Sequence, residues 1–197
     1  MKRFISLALA LILMMLAIPL TSCGDSIPYK ETKEVTNLVI IDVEDFGKIV
    51  VELYPETAPI TVDNFKKLVS EGFYDGLIFH RVISGFMIQG GGYTTEKRQK
   101  ETASIKGEFA SNGIQNDLKH ERGVISMART KVPDSATSQF FIMHKATESL
   151  DGDYAAFGKT VYGIEVVDAI ASVKTNPNTD WPTETVKINS IRFAIEE

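Results

Sequence analysis

Apolar residues along this chain follow three regimes. Between Phe4 and Leu20 they are almost continuous, broken only by Ser6 and Pro19. Between Asp25 and Thr36 they thin out among Ser, Pro, Lys, Glu and Thr. From Asn37 onward they return as short β-prone runs set apart by turn residues, the pattern of strands in a folded domain. Leu38-Val39-Ile40-Ile41 and Lys48-Ile49-Val50-Val51-Glu52-Leu53 flank Glu44-Asp45-Phe46-Gly47, which predicts a hairpin with Gly47 in its turn. Residues 57–72 predict a helix. Thr57 or Thr61 can cap it, Pro59 suits its first turn, Gly72 stops it, and Val62, Phe65, Leu68 and Val69 make one apolar face. Further strands are predicted at 78–83, 86–89, 123–128, 139–143 and 155–161. Helical spacing of Ile164, Val167, Ile170 and Ala171 predicts a second helix over 163–173, and alternation over 185–195 predicts a closing strand. Many short strands with two helices imply an all-β barrel or sandwich capped by helices, in one domain. The polar, weakly periodic stretch 93–120 is expected to form long surface loops.

Lys2 and Arg3 precede the continuous apolar run, the layout of a secretory signal peptide. A retained signal anchor is the rival, but the run is at the short edge of what spans a bilayer. Its end, Leu20-Thr21-Ser22-Cys23-Gly24, resembles the bacterial lipobox, in which a cysteine becomes the lipidated first residue of the mature protein. The alternative is a plain signal peptide beside a bystander thiol. The expected organisation is a signal peptide over 1–22, a lipid-anchored flexible tether over 23–36 and a folded domain over 37–197. A multiply acylated cysteine would anchor stably, each buried methylene contributing ~0.8 kcal/mol. The expected location is therefore the bacterial cell envelope, as an exported lipoprotein held to a membrane through Cys23. Gly24 after the cysteine favours the outer membrane where a cell has two.

Composition narrows the function. The net charge is −5, and without Lys2 and Arg3 there are 19 basic residues against 26 acidic ones. Such a chain is poorly suited to neutralising phosphates, so no nucleic-acid partner is expected. Cys23 is the only cysteine, which rules out a disulfide within the chain. There is no Gly-x-Ser-x-Gly elbow and no His-Glu-x-x-His motif. The three histidines, His80, His120 and His144, are dispersed, and Asp151-Gly152-Asp153 lacks the other ligands of a calcium loop, so no metal or other cofactor is expected.

Two segments carry the chemistry. One is Phe79-His80-Arg81-Val82-Ile83-Ser84-Gly85-Phe86-Met87-Ile88-Gln89-Gly90-Gly91. The other runs through Ser126-Met127-Ala128-Arg129 to Ser135-Ala136-Thr137-Ser138-Gln139-Phe140-Phe141-Ile142. They mix apolar anchors with Arg81, Gln89 and Gln139, as a peptide groove with a few oriented polar groups would. With Leu150-Asp151-Gly152 and Phe157-Gly158-Lys159-Thr160-Val161, and in this order, they resemble the cyclophilin family of peptidyl-prolyl cis/trans isomerases, bacterial branch, from about Asn37 to Ile195.

The resemblance implies a closed eight-stranded antiparallel β-barrel capped by two α-helices. It implies Arg81 as the catalytic donor, with Gln89 and Gln139 holding the substrate backbone and orienting the arginine. Phe86, Met87, Phe141 and Leu150 would surround a proline ring, Ala128 would line the path of the preceding residue, and Tyr154 would border the groove. The partners would be proline-containing polypeptides, met by a monomer that assists protein folding. A proline-binding chaperone or adaptor with incidental catalysis is the alternative. Phe140 and Ile88 read as ordinary core residues. Strand alternation puts Phe140 and Phe141 on opposite faces, so that one can face the core and the other the groove, and it puts His80 on the face away from Arg81, a structural place. Three positions depart from the best-known eukaryotic members. Ser149 stands where they often carry a tryptophan that contacts cyclosporin, Tyr154 where they have a histidine, and Arg129 where they have an asparagine.

Overall fold

The computed structural model describes residues 27–197, so the expected signal peptide, Cys23 and the first tether residues lie outside the described residues. The strands are β1 (Tyr29–Thr32), β2 (Leu38–Val43), β3 (Gly47–Leu53), β4 (Leu77–Ile83), β5 (Met87–Thr94), β6 (Val124–Met127), β7 (Phe140–Met143), β8 (Ala156–Tyr162) and β9 (Val186–Glu196). The helices are α1 (Pro59–Ser70) and α2 (Ile164–Ala171). All strand pairings are antiparallel. The order β9-β2-β3-β8-β6-β7-β5-β4 closes on itself through β4 and β9, giving the eight-stranded barrel. Among the described residues no helix is long and apolar enough to cross a membrane.

The barrel follows from alternation. Val39, Ile41 and Val43 of β2 and Ile49, Val51 and Leu53 of β3 point into one apolar core, joined by Phe65 of α1, Phe140 of β7 and Val167 of α2. The alternate residues Ile40 and Val50 point outward, where with Ala194 they form a second, smaller cluster. Exposed, that cluster would cost solvation energy, and Ile27, Tyr29, Leu38 and Tyr162 cover it. This corrects the expected tether: from Tyr29 the chain is a strand, β1, paired with residues 193–196 of β9. β1 takes the stretch of the β9 edge that β4, paired only at Val186 and Lys187, leaves open.

Two other expectations change. Neither Thr57 nor Thr61 caps α1. The buried carboxylate of Glu108 does so from a distant loop, accepting from the backbone N–H of Ile60 at 3.0 Å and of Thr61 at 2.7 Å, and from the Thr61 hydroxyl at 2.7 Å. A carboxylate there satisfies donors that a helix leaves unpaired and complements its dipole. The stretch 93–120 is accordingly no mere surface loop, because Glu108, Phe109, Asn116 and His120 are all buried in it.

A further change concerns β4. Phe79 pairs with Gly90, but Arg81 pairs with Gln89, so two steps on β4 oppose one on β5. Phe79 and Val82 both lie in the barrel core, which strict alternation forbids. The β-bulge at His80 absorbs the mismatch, and such bulges re-aim side chains. His80 and Arg81 therefore both leave the core, contrary to the opposite faces expected of them.

Candidate active site

The outward faces of β4 to β7 form the floor of a groove. Met87 of β5, Val124 of β6, Phe141 and Met143 of β7, and Ala156 of β8 make a buried apolar layer outside the barrel core. Phe86, Ala128, Leu150 and Tyr154 pack on it without being fully covered. One cleft opens there, lined by Arg81, Phe86, Met87, Gln89, Ala128, Arg129, Phe141, Leu150 and Tyr154. Eight of the nine residues named from the sequence thus meet in one place. The ninth, Gln139, lies immediately beside it and accepts a hydrogen bond on Oε1 from Gln89 Nε2 at 3.0 Å.

Each wall is held by identifiable contacts. Phe86 follows a turn in which Gly85 has φ 78°, a conformation suited to glycine. His144 fastens that turn: Nδ1 accepts from Gly85 N at 2.9 Å, and its own backbone N–H donates to Phe86 O at 2.9 Å. Leu150 ends the 3-10 turn Glu148–Leu150, and the next residue, Asp151, accepts the backbone N–H of His120 at 2.8 Å. The His120 ring sits 3.1 Å from both Asp151 Oδ1 and Ser126 Oγ and stacks under Phe141. Its burial outweighs the Asp151 contact and lowers its pKa from the ordinary value. His120, given no role beyond the loop region by the sequence, is the strut beneath the groove floor.

The polar edge is built on the bulge. Arg81 Nε donates to Asp180 Oδ2 at 3.2 Å, and among the described residues neither terminal nitrogen of the guanidinium makes a hydrogen bond. His80 packs against Tyr93 and Trp181, with ring centroids at 4.6 and 5.7 Å. Burial, and then the charge of Arg81, lower its pKa to about 4, so it is neutral near pH 7. Sequence reasoning missed two residues here. Arg129 lies between the rings of Phe109 and Tyr154 and donates to the carbonyl of Asp153 at 2.9 and 2.7 Å. It was noticed only as a departure. Asp180 is distant in sequence and carried no signal.

The family model of the cyclophilin-type peptidyl-prolyl cis-trans isomerases matches residues 38–193. The chain belongs to this family. Among curated relatives, a peptidyl-prolyl cis-trans isomerase of Acinetobacter baylyi is 48% identical over 158 residues, covering 76% of this chain and 81% of its own. Peptidyl-prolyl cis-trans isomerase B of Escherichia coli is 44% identical over 156 residues, covering 74% and 93%. A Cryptosporidium parvum cyclophilin-type isomerase, crystallised in the presence of the dipeptide Ala-Pro, superposes with a TM-score of 0.67 at 30% identity, over 79% of this chain and 98% of that one. A Hirschia baltica cyclophilin gives 0.68 at 28% identity, over 83% and 75%. The chain is thus a cyclophilin-type isomerase, and its cleft lies on the outer barrel wall.

Proposed function

We propose that this cyclophilin accelerates X–Pro rotation in exported or envelope polypeptides and so assists their folding, with Arg81 as the donor that favours the twisted bond. One juxtaposition carries the reading: an apolar cup and a guanidinium with two unengaged nitrogens share one cleft.

Rotation about a peptide bond faces ~18–20 kcal/mol because resonance gives C–N double-bond character. The isomers of X–Pro differ by only ~0.5–1 kcal/mol, so the equilibrium is nearly balanced but slow. A catalyst must stabilise the twisted state more than either planar one. On twisting, resonance is lost and the prolyl nitrogen regains a lone pair. Phe86, Met87, Phe141 and Leu150 receive the proline ring, while Gln89 and Gln139 hold the neighbouring backbone. Ala128 borders the preceding residue, and Tyr154 with Arg129 closes the far side. The Arg81 guanidinium, always charged, then donates toward the nitrogen. No bond to the protein forms. The dipeptide present in the Cryptosporidium crystals is of the substrate class this cleft would take. The enzyme is expected to speed cis/trans exchange of an Ala-Pro peptide in magnetisation-exchange NMR. Unchanged exchange despite peptide binding would instead support the adaptor reading.

The location is part of the proposal: signal peptide 1–22, and a lipid on Cys23 that ties the domain to a membrane. The lipobox-like Leu20-Thr21-Ser22-Cys23 supports it. Mass spectrometry of the N-terminal peptide from membranes should find an acylated Cys23, and Cys23→Ser should release the protein. Membrane retention of the serine variant would contradict the anchor.

A further inference from the structure

Asp180 sits in the connection between α2 and β9, 99 positions from Arg81, yet its carboxylate holds the arginine Nε. The segment around it is a built loop. Thr175 and Pro182 bridge, Asn176 O accepts from Asp180 N at 2.9 Å, and Asn176 N donates to Trp181 O at 2.8 Å. Asp180 itself has φ 59°, a left-handed conformation that non-glycine residues adopt rarely. That conformation lets one residue engage β4 twice. Its carbonyl accepts from Val82 N at 2.9 Å while its side chain takes Arg81 Nε. Trp181, next in sequence, docks the loop against His80 and Tyr93.

We infer that Asp180 is a positioning residue for the isomerase reaction: it clamps Nε so that the two terminal nitrogens of Arg81 face the groove. The inference rests on the reading of Arg81 as the donor. The side chains of the pair are 41% and 35% exposed, so it adds little stability. What it supplies is direction. A guanidinium is planar, so an acceptor on Nε fixes the plane in which the other donors lie, and misplacement of a catalytic group by about 1 Å can cost about a hundredfold.

The test uses Asp180→Gly, which keeps the left-handed backbone and removes the carboxylate, and Asp180→Asn, which keeps an acceptor oxygen and tolerates that backbone. Exchange of an Ala-Pro peptide is measured at saturation, with peptide affinity from NMR titration and loop docking from the fluorescence of Trp181, the only tryptophan. Asp180→Gly should slow saturated exchange by about ten- to a hundredfold with affinity and fluorescence unchanged. Asp180→Asn should recover most of the rate, and in an Arg81→Lys background, which lacks Nε, Asp180→Gly should have almost no further effect. Wild-type rates in Asp180→Gly, or an equal loss with and without Arg81, would overturn the inference. Wild-type rates in Arg81→Ala would instead remove the reading beneath it.

Discussion

Gln89 and Gln139 meet through one side-chain hydrogen bond, Nε2 to Oε1 at 3.0 Å, across the pairing of β5 with β7. Gln89 also pairs with Arg81 across β4 and β5, so the bond joins the arginine's support to the far bank of the groove. A neutral hydrogen bond of this kind contributes about 0.5–1.5 kcal/mol. Gln139→Ala and Gln89→Ala should each lower kcat/KM by roughly three- to tenfold, and the double variant should lose less than the product of the two. Multiplying losses in the cycle would show that the two amides act separately.

Gly92 gives an orthogonal test of the same bond. A Cβ added there would overlap Cγ and Cδ of Gln139. Gly92 itself does not line the cleft, yet Gly92→Ala should lower activity about as much as Gln139→Ala while the barrel stays folded. Unchanged activity would mean that Gln139 can be displaced at no cost.

His80 makes stability depend on pH. Its native pKa is lowered from 6.5 to about 4, first by burial and second by Arg81. Between those values the unfolded chain binds a proton that the native one does not, so stability is full above pH ~6.5 and falls as pH drops toward 4. At 1.36 kcal/mol per unit the loss is about 3 kcal/mol, and His120 is shifted in the same direction. Urea midpoints at pH 7 and 4.5 should show most of this loss, and His80→Asn should flatten it. An equal slope in the variant would place the proton elsewhere.

The N-terminal strap should matter for stability and not for chemistry. It covers Ile40 of β2, Val50 of β3 and Ala194 of β9. β2 and β7, at the centre of the groove floor, are four strands apart in either direction around the barrel. Half-covering Ile27 and Tyr29 is worth about 2 kcal/mol by the usual apolar scale. A chain beginning at Asn37 should therefore unfold at lower urea than one beginning at Ile27, with the same kcat/KM. Equal midpoints would make β1 an ornament of the fold.

Legibility of this structure in its sequence varied with how local the cause was. Alternation put Phe140 and Phe141 on opposite faces, and the structure has Phe140 and Ile88 in the barrel core and Phe141 on the groove floor. The apolar groove residues were legible because their motif is contiguous and familiar. The facing of Arg81 was not, since it depends on a bulge that breaks the period of two. Local spacing points to nearby threonines for the cap of α1, whereas Glu108 comes from 47 positions away to reach Thr61. Asp180 was invisible for the same reason. The strap reads as a tether because Ile27 and Tyr29 stand among polar residues, and only the outward faces of β2, β3 and β9 reveal what they cover.

The proposed catalysis rests on Arg81. Losing one preorganised donor at a developing charge costs about 3–4 kcal/mol in other enzymes. The decisive measurement is exchange NMR on an Ala-Pro peptide with wild type and Arg81→Ala, matched for folded fraction. The rate should fall by two to three orders of magnitude with peptide still bound. A rate within a few-fold of wild type would contradict it.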